Sequence, residues 1–331
     1  MSEPLLRVEE LVKVFPVGRG ILARGREKVR AVDGVSFAIA RGRTLGLVGE
    51  SGCGKSTLAR CVLRLVEPTA GKVLFGGEEV GRFGSEELRR YRRRAQIVFQ
   101  DPFGTLNPRM TVQELLSEPL RAHGLVNSRR EARRRVCELL ELVGLTAEQA
   151  GRYPHAFSGG QRQRIAIARA LATQPEMVIL DEPVAALDVS IGAQVLNLLA
   201  DLQDELGVAY LLISHDLSLV RHVAHRVAVM YLGALMEVAD TPDLFEAPQH
   251  PYTQALLSAV PVPDPVHERR RQRIPLPGEV PSALHIPPAC RFHTRCFKAE
   301  AVCSQEEPPL APVAERDHRA SCWFAEPLYI L

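Results

Sequence analysis

Nothing in this chain of 331 residues, although 46% of it is hydrophobic, approaches the ~18 consecutive apolar residues that a membrane-spanning helix needs. The opening Met1-Ser2-Glu3-Pro4 lacks the charged-then-apolar layout of a secretory signal, so the expectation is a soluble chain that stays in the cytosol. Charge of one sign is not in excess either. With 41 Lys plus Arg against 39 Asp plus Glu the formal balance is +2, which gives no global field to announce a nucleic-acid partner. Basic charge is local, in clusters at Arg89 to Arg94, Arg129 to Arg135 and Arg269 to Arg273, each read as a solvated face. Internal repeats, heptad runs and low-complexity tracts are absent, which removes solenoids and coiled coils.

What is present is organised around Gly49-Glu50-Ser51-Gly52-Cys53-Gly54-Lys55-Ser56-Thr57, a Gly, four residues, then Gly-Lys-Ser. Thr44 to Val48 before it reads as a buried strand, and Leu58, Cys61, Val62 and Leu65 after it recur at helical spacing, the context a phosphate loop requires. The glycines let backbone N–H groups and the helix start converge on an anion. Lys55 then reaches the terminal phosphates, and the Ser56 hydroxyl sits where it can ligate Mg2+.

Residues from Leu5 to Ile39 alternate apolar and polar positions, with Asp33-Gly34 expected as a hairpin turn, and read as an antiparallel strand layer. Within it Phe15 could stack on a purine or simply pack in the core. Between Glu86 and Ala147 the pattern turns helical and charged, with a Val136, Leu139, Leu140, Val143 stripe closed by Gly144. Met177 to Leu180 and Val208 to Ile213 are continuous apolar strands flanking a helix from Ser190 to Leu206, which implies a parallel sheet. From Pro251 onward prolines recur and the texture changes.

Asp181-Glu182 places two carboxylates at the C-terminal end of a buried strand, where open parallel sheets bind ligands. The first can hold Mg2+ through water, and the second can orient or deprotonate water attacking a γ-phosphate. Ser158-Gly159-Gly160-Gln161 opens a second helix with Ser158 at the N-cap, a second anion site roughly a hundred residues from the first. A head-to-tail dimer would bring two such half-sites onto each nucleotide.

Phe157-Ser158-Gly159-Gly160-Gln161 resembles the signature of ATP-binding cassette (ABC) proteins, with Phe where Leu is usual. The resemblance implies that the signature of one subunit closes over ATP held by the phosphate loop of another. Gln100 in Val98-Phe99-Gln100-Asp101-Pro102 resembles that family's glutamine loop, which senses Mg2+ and the attacking water and touches the membrane subunit. Ala186-Leu187-Asp188 resembles the loop that crosses the dimer, and His215 in Ile213-Ser214-His215-Asp216 the switch histidine on the γ-phosphate. Phe15 resembles the adenine-stacking aromatic.

Cys290, Cys296, Cys303 and Cys322 crowd into the last segment, separated by five, six and eighteen residues. That spacing is unlike the short pairs of common zinc ribbons, and disulfides are disfavoured in a reducing cytosol. Spacing alone leaves open a metal site, with His293 and His318 as possible ligands, or ordinary free thiols. His250-Pro251-Tyr252-Thr253-Gln254-Ala255-Leu256-Leu257, then Cys290-Arg291-Phe292, Arg295-Cys296 and Cys303, is similar to the C-terminal extension of oligopeptide and dipeptide importer ATPases, some of which carry a [4Fe-4S] cluster there. The resemblance therefore implies a [4Fe-4S] cluster on the four cysteines, with the Zn2+ that four thiolates also suit as the alternative.

The whole reads as an α/β P-loop NTPase fold of the ABC-cassette type, with a mostly parallel core sheet, an N-terminal antiparallel layer and a helical subdomain. The cassette is expected over 1–258, with a helical insertion at about 86–175, and the Pro/Cys-rich extension over 259–331. The resemblance implies an ATPase on the cytoplasmic face of the cell membrane, with ATP and Mg2+ as cofactors. Its partners would be a second ATPase subunit, two transmembrane permease subunits and, indirectly, an extracytoplasmic binding protein for oligopeptides, dipeptides or nickel chelates. The alternative is a soluble cassette ATPase acting on nucleic acid or ribosomes.

Overall fold

A computed structural model describes residues 3–17, 27–261, 273–313 and 317–329. The expectations for residues 269–272 of the third basic cluster and for the segment following Phe15, residues 18–26, lie outside the described residues.

In chain order the strands are β1 (Leu6–Val17), β2 (Glu27–Ile39), β3 (Thr44–Val48), β4 (Ala70–Phe75), β5 (Glu78–Glu79), β6 (Ala95–Val98), β7 (Met177–Asp181), β8 (Ala209–Ser214), β9 (Arg226–Tyr231), β10 (Ala234–Asp240), β11 (Ala311–Pro312) and β12 (Arg319–Ala320). The helices are α1 (Lys55–Val62), α2 (Ser85–Arg94), α3 (Pro102–Thr105), α4 (Val112–Ala122), α5 (Arg129–Leu142), α6 (Gly159–Leu171), α7 (Val189–Leu206), α8 (Leu217–Val223), α9 (Thr241–Glu246) and α10 (Pro251–Ala259). Among the described residues no helix is long and apolar enough to cross a membrane.

The chain divides into two compact units. The first is built on Arg82–Ile213 with Ile39–Arg43, and the second on Leu6–Ala38, Thr44–Gly81 and Ser214–Leu331.

In the first unit β6, β7 and β8 run parallel, with Leu180 opposite Val98 on one side and Leu212 on the other. All five residues of β7 are buried, as an apolar strand covered on both faces should be. The span expected to be helical is interrupted by β6, because Ala95 and Val98 are buried against β7 after the Arg-rich α2 ends. The α5 stripe packs as its spacing implies, with Val136 and Leu140 wholly buried and Gly144 leaving at φ +69°.

In the second unit an antiparallel layer has the order β2-β1-β4-β5, and a second group runs β11-β12-β10-β9-β3, in which β3 and β9 are parallel. The Asp33-Gly34 hairpin is corrected: β2 passes through both residues without turning. Gly34 absorbs a φ of +70° within the strand. The Asp33 N–H donates to Gly233 O at 2.9 Å, and its carboxylate accepts from Arg291 at 2.6 Å and from Arg30 at 3.2 Å. Long-range partners thus join the local Arg30 contact and hold the strand straight where a turn was expected. The C-terminal segment is joined to β10 through β12, with Ala320 opposite Glu237. Buried Glu237 accepts the N–H groups of Gln249 and His250 at 2.7 and 3.0 Å and faces His318 Nε2 at 2.6 Å.

Candidate nucleotide site

The second unit carries the phosphate loop between β3 and α1. Gly49 and Gly54 adopt φ +150° and +112°, and a Cβ there would lie 2.1 Å from Met230 O and 2.0 Å from Ala31 O. Only glycine meets both demands. The helix start at Gly54 has no side-chain cap, which leaves the first-turn N–H groups to an anion. Lys55 is 5% exposed. Its Nζ donates to Gly49 O at 2.7 Å and Glu50 O at 3.0 Å, so the ammonium rests on the loop's own carbonyls. Burial raises the Cys53 thiol, opposed by the nearby Lys55 charge. Ser51 and Gly52 are exposed, and Ser56 and Thr57 lie half-buried in the first turn.

In the same unit His215 is exposed just past β8, and Asp216 caps α8 by accepting from Ser218 N. Phe15 is 37% exposed, with Lys13 Nζ 4.8 Å from its ring centroid.

The first unit holds the carboxylates. Asp181 ends β7 and is 4% exposed. Glu182 follows in the left-handed region at φ +49°, a conformation that costs a non-glycine residue roughly 1–2 kcal/mol. Its N–H donates to Ile213 O at 2.9 Å. Gln100 Nε2 donates to Glu182 Oε2 at 2.8 Å, bringing two predicted residues together.

The signature helix begins as expected: Ser158 Oγ accepts from Gln161 N at 3.3 Å, and Gln161 Oε1 accepts from Ser158 N at 3.1 Å. Gly160 allows close approach, since a Cβ there would sit 2.3 Å from Ile191 Cγ2, while one at Gly159 would meet Leu187 Cδ2 at 3.2 Å. Asp188 caps α7 through Oδ1, which accepts from Ile191 N at 2.9 Å. The signature and the Asp188 loop are therefore packed as one piece.

Cys290, Cys296, Cys303 and Cys322 line one cavity with His250 and His293. Burial lifts the Cys296 and Cys322 thiols to about 11. Their sulfurs accept the N–H groups of Lys298 and Phe324 at 3.4 Å. No group of three or more His, Cys, Asp or Glu side chains among the described residues is arranged to hold a metal ion. The thiols share a cavity without closing into a ligand set. His318, expected as a possible substitute, is drawn away by Glu237.

Two residues that the sequence reading placed only in the C-terminal resemblance meet the phosphate loop: Tyr252, whose hydroxyl accepts the Glu50 N–H at 3.0 Å, and Arg295, which pairs with the Glu50 carboxylate at 2.8 Å. No local signal could have shown these contacts, because the partners lie 202 and 245 residues apart.

Residues 32–185 match the family described as ABC transporter, and residues 236–303 match the family described as oligopeptide/dipeptide transporter, C-terminal region. The chain is 50% identical over 322 residues to the oligopeptide transport ATP-binding protein AppF of Bacillus subtilis (strain 168), covering 97% of each chain. It is 50% identical over 313 residues to the dipeptide transport ATP-binding protein DppF of Escherichia coli (strain K12), covering 94% of this chain and 92% of that protein. A dimeric post-hydrolysis structure of the ATP-binding cassette MJ0796, bound to ADP and Pi, superposes with a TM-score of 0.63 at 30% identity, over 71% of this chain and 98% of that one.

Proposed function

The chain belongs to the ABC transporter family, and we propose that it is the ATP-hydrolysing subunit of a peptide-class importer. The hydrolytic reading is carried by the Gln100–Glu182 hydrogen bond at the C-terminal end of β7. Gln100 engages the carboxylate that is read as orienting and polarising a water. The cargo class rests on the relatives' names and on the C-terminal match. Because those relatives are transport proteins, action on nucleic acid or ribosomes is not favoured.

In this reading the loop Gly49 to Thr57 binds the phosphates through backbone N–H groups and Lys55, and Phe15 stacks on the adenine. Ser56, Asp181 and Gln100 offer the oxygen donors that suit Mg2+, whose role when bound is to neutralise phosphate charge. Glu182 positions water for in-line attack. His215, with Ser158, Gly159, Gly160 and Gln161 of a second ATPase subunit, holds the γ-phosphate, and Asp188 lies at the crossing between subunits. Two transmembrane permeases receive the coupled motion, which sets the chain on the cytoplasmic face of the membrane, with a binding protein acting indirectly from the other side. The cassette spans 1–258 and the extension 259–331.

The four cysteines are read as ligands of a [4Fe-4S] cluster or of Zn2+. This reading rests on their shared cavity and the two N–H···S bonds, although the thiols as placed do not close into a ligand set. Anaerobic preparations should contain iron and absorb near 400 nm, or contain zinc; a chain with neither metal would remove this part of the reading.

The central test is phosphate release by the purified chain with its membrane subunits in vesicles. Turnover should require two cassettes and rise more steeply than in proportion to cassette occupancy. Full-rate hydrolysis by a solitary cassette would overturn the proposal.

A further inference from the structure

The Cys-rich extension reaches back to the phosphate loop through two buried arginines, each adjacent to a cysteine. Arg291, next to Cys290, donates through Nη1 to Leu232 O and through Nη2 to Asp33 Oδ2, both at 2.6 Å. Leu232 sits in the β9–β10 hairpin at φ +42°. The next residue, Gly233, donates its N–H to Cys53 O of the phosphate loop at 2.9 Å and accepts the Asp33 N–H at the same distance. The hairpin that touches the loop is therefore gripped from the extension.

Arg295, next to Cys296, makes the direct contact. Its Nη1 and Nη2 donate to the two Glu50 carboxylate oxygens at 2.8 and 3.2 Å, a bidentate pair. From α10 the Tyr252 hydroxyl accepts the Glu50 N–H at 3.0 Å, and its ring packs 4.8 Å from that of Tyr231, whose hydroxyl faces Arg295. Glu50 thus has its carboxylate and its N–H both held, one residue after the first glycine of the loop.

Arg291 and Arg295 are 8% and 7% exposed. A guanidinium so desolvated is costly to leave unpaired, which keeps each on its acceptors. Neither arginine is part of the loop, whose own anion-facing groups are backbone N–H groups and Lys55. What they can do is remove freedom from the empty loop, so that less is lost when a triphosphate docks. We propose that Arg291 and Arg295 are positioning residues that pre-form the phosphate loop, so that the extension sets the affinity of this chain for ATP. This rests on the reading of the loop as the ATP site.

The test is equilibrium binding of a fluorescent ATP analogue to the full chain, with steady-state ATPase kinetics in the assembled transporter. Arg295→Gln should weaken binding and raise KM by about tenfold while kcat at saturating ATP changes by less than about twofold. Arg295→Lys should recover part of the loss. Glu50→Gln, which removes the same pair from its more exposed side, should match Arg295→Gln in the loss of ATP affinity, and the double variant should bind no worse than either single one. It serves equally if Arg295→Gln fails to fold. Wild-type affinity in both single variants, or losses that add fully in the double, would overturn the proposal. A wild-type chain that binds no ATP would instead remove the ATPase reading on which it stands.

Discussion

Gln100 and Glu182, 82 residues apart in sequence, meet through a 2.8 Å hydrogen bond from Nε2 to Oε2. Glu182 is held there at φ +49° by its N–H on Ile213 O, so the carboxylate is aimed by backbone and by amide together. Glu182→Gln keeps the shape and removes the charge. It should lower phosphate release by at least about a hundredfold while ATP still binds. Single-turnover hydrolysis beside analogue binding would check it, and turnover at the normal rate would remove Glu182 from the water-polarising role.

The phosphate-loop glycines separate two kinds of cost. Gly54→Ala would drive a Cβ to 2.0 Å from Ala31 O in a residue at φ +112°, whereas Gly52→Ala, at φ +79°, meets nothing within 4 Å. Gly54→Ala should therefore destabilise the chain by about 3 kcal/mol or more, and Gly52→Ala by only about 1 kcal/mol. Denaturant midpoints measure both. Equal losses would mean that close approach is not what selects glycine at position 54.

These contrasts also mark what could be read in advance. The loop, the strand before it and the Ser158 cap are written in contiguous residues, and each obeys a local rule. The Asp33-Gly34 turn failed because the Asp33 N–H goes to Gly233 O and its carboxylate is shared between neighbouring Arg30 and distant Arg291, a pairing that leaves β2 running straight through. The Glu50–Arg295 pair and the capture of His318 by Glu237 join residues 245 and 81 positions apart. The cysteine spacing left a metal site or free thiols open, and it could not show that the four share one cavity, which long-range packing decides. Strand β6 hid because four residues between a charged helix and Gln100 are too few to show a period.

Ser158 is asked to do two things, and they can be separated. Its Oγ caps α6 on Gln161 N at 3.3 Å, so Ser158→Ala should cost about 1 kcal/mol of stability. Ser158→Asn supplies another good capping side chain and should restore that loss. If Ser158 also meets the γ-phosphate held by a second subunit, the Asn variant will be stable and still slow in ATP hydrolysis. Recovery of activity along with stability would confine Ser158 to capping.

The attachment of the extension should respond to acid through His250. This residue is 1% exposed, and burial pushes its pKa down from 6.5 to about 4, against the opposing pull of the Glu237 charge. Its Nδ1 accepts from Tyr252 N at 3.0 Å as the cap of α10, a bond that only the unprotonated nitrogen can make. The folded pKa lies below the unfolded one, so the unfolded chain takes up the proton first. The stability due to neutral His250 is complete above about pH 6.5 and is lost as pH falls toward about 4. At about 1.4 kcal/mol per pKa unit the loss is on the order of 3 kcal/mol. His250→Asn retains a capping side chain and cannot titrate. Urea midpoints measured from about pH 8 to about pH 4 should therefore show a steeper acid loss in the wild type than in this variant. Parallel curves for the two proteins would place the acid sensitivity elsewhere in the chain.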